Sequence, residues 1–130
     1  MTQVLVADDS PTVRLSLKRW LEPAGYAVLE ASDGPRALEA LRTHAEPLIV
    51  LLDYQMPGMT GYEVLRAALA ERLTPPRRVY AIISGQQSTF PPEFNDLLRE
   101  LGIQLIPKPF DRETLLMLMD YLSARQGAGA

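Results

Sequence analysis

The sequence predicts an α/β fold, a parallel sheet with helices packed on both faces, and three observations carry the prediction. Five short apolar runs alternate with five stretches whose apolar residues recur at helical spacing. The third run, Leu48–Leu52, is continuously apolar, as suits a strand covered on both sides. Finally, polar residues follow the runs directly: Asp8-Asp9, Asp53, Ser84 and Lys108.

Val4–Ala7 is the first strand. Ser10-Pro11 then supplies an N-cap and a first helical residue. Val13, Leu17, Trp20, Leu21 and Ala24 give the first helix one apolar stripe, with Trp20 as core packing at its end, and Gly25 stops it. Ala27–Ala31 is the second strand and Ser32-Asp33-Gly34 a turn. Ala37, Leu38, Leu41 and Ala45 mark a second helix running to Glu46-Pro47. His44, the only histidine, lies in its last turn, where an imidazole caps carbonyls or is solvated. After Met56-Pro57-Gly58 and Thr60-Gly61, Tyr62–Arg72 is helical, with Val64, Leu65, Ala68 and Leu69 inward, and Thr74-Pro75-Pro76 stops it. Val79–Ile83 is the fourth strand, and Gln86–Pro92 reads as a loop. A fourth helix from Pro91 or Pro92 to Leu101 presents Phe94, Leu97, Leu98 and Leu101 on one face. Ile103–Ile106 is a short fifth strand. The adjacent Pro107 suits a sheet edge, because proline cannot donate to a ladder. Asp111 caps a last helix through about Ala124, so residues 1–124 form one domain and 125–130 a frayed tail with no output domain.

Composition narrows the function. A chain of 130 residues with 47% apolar and 22% charged residues is an ordinary globular domain. Its net charge of −3 gives no general attraction to nucleic acid or anionic membrane. The absence of cysteine excludes disulfides, thiolate zinc sites and cysteine nucleophiles. No apolar run approaches the roughly 20 residues of a membrane helix, and the early Asp8-Asp9 argues against a signal peptide. The expectation is a soluble protein, most simply cytoplasmic.

In a parallel sheet every strand ends on the same side, where ligands of open α/β sheets bind. Asp8, Asp9, Asp53, Ser84 and Lys108 therefore converge. Singly, each has an ordinary reading: the acidic pair complements a helix start, the serine ends a strand, the lysine is a surface charge. Together, three carboxylates repel one another and call for a cation, and hard oxygen ligands in this number suit Mg²⁺. A carboxylate nucleophile, a metal, a lysine and a hydroxyl are the parts of phosphoryl transfer to an aspartate. Lys108 is one of only two lysines among thirteen basic residues.

On these residues the chain resembles the receiver domain of bacterial two-component response regulators. The likeness is carried by Asp8-Asp9 after VLVA, the segment Asp53–Gly61 with its D-x-x-M-P-G-x-x-G pattern, Ser84, and Lys108-Pro109-Phe110. The resemblance implies a flavodoxin-like (βα)5 three-layer sandwich with a five-stranded parallel sheet in the order 2-1-3-4-5. It implies that Asp53 accepts a phosphoryl group from the phosphohistidine of a sensor histidine kinase or phosphotransfer protein. Asp9, Asp53 and the backbone carbonyl of Gln55 would bind Mg²⁺ directly, with Asp8 acting partly through water. Ser84 and Lys108 would hold the phosphoryl oxygens, and a cis bond at Lys108–Pro109 would aim the lysine. Such a domain is a signalling element that promotes its own phosphorylation and dephosphorylation and acts on a downstream protein. Gln55 and Gln86 are candidates for setting the phosphoaspartate lifetime.

Three departures from the family pattern concern its output. Leu105 stands where many receivers carry an aromatic switch residue, Pro107 precedes the lysine, and the long Gly85–Pro92 loop would delay or reorient the fourth helix. In the last helix Leu115–Met119 are consecutively apolar, with Leu122 beyond. That run suits either a broad core contact or a homodimer surface on the last helix and fifth strand, where receivers often associate. Rival functions fit less well. A phosphatase or phosphotransferase of the haloacid-dehalogenase type needs an acid where Gln55 stands. A nucleotide-binding module needs a phosphate-cradling loop where Asp8-Asp9 would repel the ligand. A degenerate receiver serving only as a phosphorylation-independent scaffold is the remaining alternative.

Overall fold

The computed structural model of the chain describes residues 1–44, 47–73, 78–85 and 90–128. Its strands are β1 (Thr2–Ala7), β2 (Tyr26–Ala31), β3 (Leu48–Asp53), β4 (Arg78–Ser84) and β5 (Gln104–Pro107). They alternate with α1 (Pro11–Leu21, extended by a 3₁₀ turn over Glu22–Ala24), α2 (Gly34–Thr43), α3 (Gly61–Ala70), α4 (Pro92–Leu101) and α5 (Arg112–Ala128). All neighbouring strands are parallel and the order is β2-β1-β3-β4-β5, as expected.

Strand residues point alternately to the two faces of the sheet. Leu5, Ala7, Val50, Leu52 and Ile82 pack with α2, α3 and α4, including Leu41, Leu65, Phe94 and Leu98. Val4, Val6, Ile49, Leu51 and Ile83 pack with Leu17 and Leu21 of α1 and with Leu115, Met119 and Leu122 of α5. Every residue of β3 and β4 is buried, which explains why β3 reads as an unbroken apolar run. Burying one such aliphatic side chain contributes roughly 1.5–3 kcal/mol.

Helix starts follow local chemistry. The Ser10 hydroxyl accepts the Val13 amide at 3.3 Å with Pro11 in the first turn, and Asp33 accepts the Arg36 amide at 2.7 Å. Asp111 accepts the Thr114 amide at 2.8 Å, as the sequence suggested. At α3 a reciprocal capping box joins Thr60 and Glu63.

Several boundaries differ from the sequence reading. α2 ends at Thr43, with His44 as its C-cap and Nδ1 2.9 Å from the Ala40 carbonyl; Ala45 and Glu46 lie outside the described residues. α3 ends at Ala70, not Arg72. Arg72 takes a left-handed φ of 58°, and the Leu73 amide turns back to the Ala68 carbonyl, closing the helix early. The proposed Thr74-Pro75-Pro76 stop also lies outside the described residues. β4 starts one residue early, at Arg78, and β5 runs Gln104–Pro107, one residue later than expected. α5 continues to Ala128 instead of ending near Ala124. Gln126 is buried, and Arg125 reaches from α5 to donate to the Gly102 carbonyl.

β5 is an edge strand, in keeping with Pro107. Pro107 is paired with Ser84 as the last residue of the ladder, and the Lys108 amide donates to the Ser84 carbonyl at 2.9 Å.

At the amino edge of the sheet, the buried Arg78 donates to the carbonyls of Leu41 (3.0 Å), Leu73 (2.8 Å) and His44. One guanidinium thus ties the ends of α2 and α3 to β4.

Candidate functional site

The carboxyl edge gathers the charged side chains. The β1 ladder ends at Ala7, after which the Asp8 amide still donates to the Ala31 carbonyl at 3.1 Å, so Asp8 is drawn into the sheet and fully buried. Its carboxylate accepts the Ser10 amide at 2.9 Å through one oxygen and the Lys108 ammonium at 2.7 Å through the other. Arg14 from α1 donates to the Asp8 carbonyl at 2.7 Å, fixing the turn. Asp9 is exposed.

Asp53 is the last residue of β3 and is buried between the two neighbouring strand ends. One oxygen from each of Asp8, Asp9 and Asp53 lies within 4.8 Å of the others. Lys108 Nζ is 3.4 Å from Asp53 and is shared with Asp8, which holds it more closely. The Lys108–Pro109 peptide is cis, as the family resemblance implied. Ser84 ends β4, one residue beyond the partner of Asp53 in the ladder, and is buried. Five of the residues singled out in the sequence thus meet at one edge. Gln55 follows in the β3–α3 loop with its side chain exposed, whereas Gln86 lies outside the described residues.

That loop is held at both ends. The Gly34 amide donates to the Pro57 carbonyl at 3.3 Å and the Gly61 amide to the Tyr54 carbonyl at 2.8 Å. Gly61 is required by close approach: a Cβ there would stand 2.7 Å from the Asp53 carbonyl oxygen. The first turn of α3 therefore rests directly on the backbone of Asp53.

Electrostatically the site is under tension. Burial, and then the nearby Asp8 carboxylate, push the Asp53 carboxyl up to about 6, while Lys108 pulls it back. Burial disfavours the charge on Lys108, but Asp8 and Asp53 outweigh it and raise its affinity for the proton. Two buried carboxylates and a third at the mouth, served by one ammonium, leave negative charge unbalanced. Three hard oxygen donors around that imbalance fit a divalent cation of the magnesium or calcium type.

Beside the site lies an aromatic cluster that the sequence reading did not assemble. Tyr54, next to Asp53, packs on Phe90 and Phe94 with ring centroids 4.5 and 5.3 Å apart. Phe94 also meets Tyr62 of α3 at 4.9 Å. Leu105, at the position where an aromatic residue is common, is half-buried against the same cluster of the core. In sequence, only the tyrosine directly after Asp53 and the inward Phe94 hinted at this contact.

Residues 4–120 match the family model of the response regulator receiver domain. Protein PilH of Pseudomonas aeruginosa is 32% identical over 127 residues, covering 95% of this chain and 99% of that protein. The peroxide stress-activated histidine kinase mak3 of Schizosaccharomyces pombe is 34% identical over 128 residues; the match takes in 93% of this chain but only 5% of the kinase. Among solved structures, a CheY-like receiver domain protein from Methanospirillum hungatei superposes with a TM-score of 0.85, covering 100% of this chain and 99% of that one. At 24% identity that likeness is one of fold.

Proposed function

From the premise that the chain belongs to the response regulator receiver domain family, and so serves phosphorelay signalling, we propose that Asp53 is its phosphoacceptor. The observation that carries this is the convergence of Asp53 with Asp8, Asp9 and Lys108 at one strand edge. A carboxylate oxygen of Asp53 attacks the phosphorus of a phosphohistidine; the phosphorus–nitrogen bond breaks and the imidazole leaves with a proton from solvent. Burial and Asp8 push the Asp53 carboxyl up to about 6, and Lys108 opposes that rise, favouring the ionised form a nucleophile needs.

Asp9, Asp53 and the Gln55 carbonyl would hold Mg²⁺, with Asp8 beside them. The ion would offset the negative charge of the carboxylates and of the incoming phosphoryl group. Lys108 stands ready to exchange its contact with Asp8 for one with a phosphoryl oxygen, and the Ser84 hydroxyl is placed to donate to another. The half-open apolar hollow between α1 and the Lys108-Pro109-Phe110 segment, with Trp20 in its wall, adjoins this edge. It suits the helical surface of a phosphodonor kinase or phosphotransfer protein. No described helix is long and apolar enough to cross a membrane.

The test is incubation with acetyl phosphate or beryllofluoride and Mg²⁺, read by intact mass or by Trp20 fluorescence, with Asp53→Asn as control. A metal-dependent response in the native chain alone is expected. No response from the native chain would favour the phosphorylation-independent scaffold.

Self-association is the second element of this reading. α5 buries Leu115, Met119 and Leu122 but leaves Met117 and Tyr121 exposed, and the Tyr121 hydroxyl lies 3.5 Å from Gln104 of β5. Sedimentation at rising concentration, with and without beryllofluoride, would reveal a dimer; a strict monomer in both would argue against one.

A further inference from the structure

A second concave surface, lined by none of the site carboxylates, lies between α3 and α4. It is an open cleft of about 470 Å³. Its apolar floor is formed by the half-buried Leu69 of α3 and Leu97 of α4. Along α4, Glu93, Asp96 and Glu100 follow one another at three- and four-residue spacing and therefore share the face that rims the cleft. Asp96 is paired with Arg99 on its own helix, but Glu93 and Glu100 have no ion-pair partner among the described residues. The one cation on the wall among the described residues, Arg66 of α3, lies over the Tyr62 ring at 5.4 Å from its centroid. The cleft thus combines apolar floor and uncompensated negative rim, with its single positive charge turned onto an aromatic face.

Its wall is also joined to the nucleophile. Tyr62 lines the cleft and stacks on Phe94; Phe94 stacks on Tyr54; Tyr54 follows Asp53 in the chain. Phe90 closes the cluster against both Tyr54 and Phe94. Rings in such contact shift together, because a close-packed interior has no free volume into which one ring can move alone.

We propose that the α3–α4 cleft docks a basic amphipathic helix of a partner protein, and that its occupancy is coupled to the state of Asp53 through the Tyr54–Phe94–Tyr62 stack. Leucine-like side chains of the partner cover Leu69 and Leu97, while its lysines or arginines meet Glu93 and Glu100. The coupling rests on Asp53 being the phosphoacceptor; the docking does not. With Leu105 in β5, this stack gives the chain an aromatic route from Asp53 to a helix face. Reciprocity requires that a ligand in the cleft change the affinity of the site for beryllofluoride by the same factor that beryllofluoride changes the affinity of the cleft.

The full chain is titrated with a short amphipathic helical peptide of leucine and lysine while backbone amide shifts are recorded, and with a leucine–glutamate peptide as control. Expected are shifts confined to α3 and α4 with the lysine peptide and none with the glutamate peptide. Glu93→Gln with Glu100→Gln should weaken binding roughly fivefold without altering the fold, since both side chains are exposed. Mg²⁺ with beryllofluoride should change the native affinity about fivefold. Tyr54→Leu should abolish that change and Tyr54→Phe should keep it, each with loading still reported by Trp20 fluorescence. Shifts that map elsewhere, or equal binding by the Gln variant, would overturn the docking. Peptide-independent, concentration-dependent shifts on this face would assign it to a second copy and overturn it too. Equal affinity of loaded and unloaded native protein would overturn the coupling. If beryllofluoride does not load, the phosphoacceptor reading fails and the coupling with it, while docking in the unloaded protein is still decided.

Discussion

The two edges of the sheet each bury charge, and they treat it in opposite ways. At the amino edge the guanidinium of Arg78 is buried and donates to the carbonyls of Leu41, Leu73 and His44. These bonds satisfy backbone groups at the ends of α2 and α3 that the helices themselves cannot. At the carboxyl edge Asp8 and Asp53 are buried side by side, with Asp9 at the mouth and Lys108, alone among the described residues, paired with the two buried acids. In the first arrangement one cation is spread over backbone acceptors at the ends of two helices. In the second, clustered carboxylates concentrate negative charge that a divalent cation would offset.

The comparison can be broken most severely at Asp53. Asp53→Asn should abolish the metal-dependent response to acetyl phosphate, measured by intact mass, while leaving the fold unchanged by circular dichroism. Lys108→Ala should slow phosphorylation about 100-fold, the usual loss when one preorganised charge is removed from a reacting centre; a rate within twofold of native would remove the lysine from the mechanism.

At the other edge, Arg78→Met keeps much of the side-chain bulk but orphans carbonyl groups. It should cost about 3 kcal/mol in urea unfolding, with the initial rate of acetyl phosphate modification intact in the folded fraction. A loss below about 0.5 kcal/mol would mean that water replaces the guanidinium, and the contrast between the edges would weaken.

The sign of the pH dependence offers the subtlest test. Asp53 binds its proton more tightly folded than unfolded, with its value raised from 3.8 to about 6. Metal-free stability therefore falls as pH rises from about 4 through about 6, by on the order of 2 kcal/mol from this group alone. Asp33 and Asp111, held low by backbone amides at helix starts, contribute the opposite slope only at lower pH. Asp53→Asn should flatten the fall above pH 4 and raise metal-free stability near neutrality. Unchanged slopes in thermal melts with a chelator present would show that the two carboxylates share their charge without strain.

The same contrast governs what can be read from the chain. β3 and β4 are legible because a strand buried on both faces must be apolar throughout, and the carboxyl-edge residues because they stand directly after such runs. Arg78 is not legible: a buried arginine looks like any other arginine, and its acceptors among the described residues are main-chain atoms up to 37 residues away. The end of α5 escaped for a related reason. Gly127 and the alanines around it suggest a frayed tail, but Gln126 is buried and Arg125 is anchored on the Gly102 carbonyl, so tertiary contact outweighs low local propensity. The ring cluster of Tyr54, Tyr62, Phe90 and Phe94 needed the packing of α3 on α4 before its members could be seen as one group.

The double anchoring of the β3–α3 loop carries a thermodynamic consequence. Because the chain's own hydrogen bonds fasten Pro57 to Gly34 and Tyr54 to Gly61, capturing an ion should freeze little further backbone. The heat of Mg²⁺ binding should then be small and the gain chiefly entropic, from water released by the ion and the carboxylates. Exchange of the Gly34 and Gly61 amide protons should be slow in protein prepared without metal and should hardly slow further on loading.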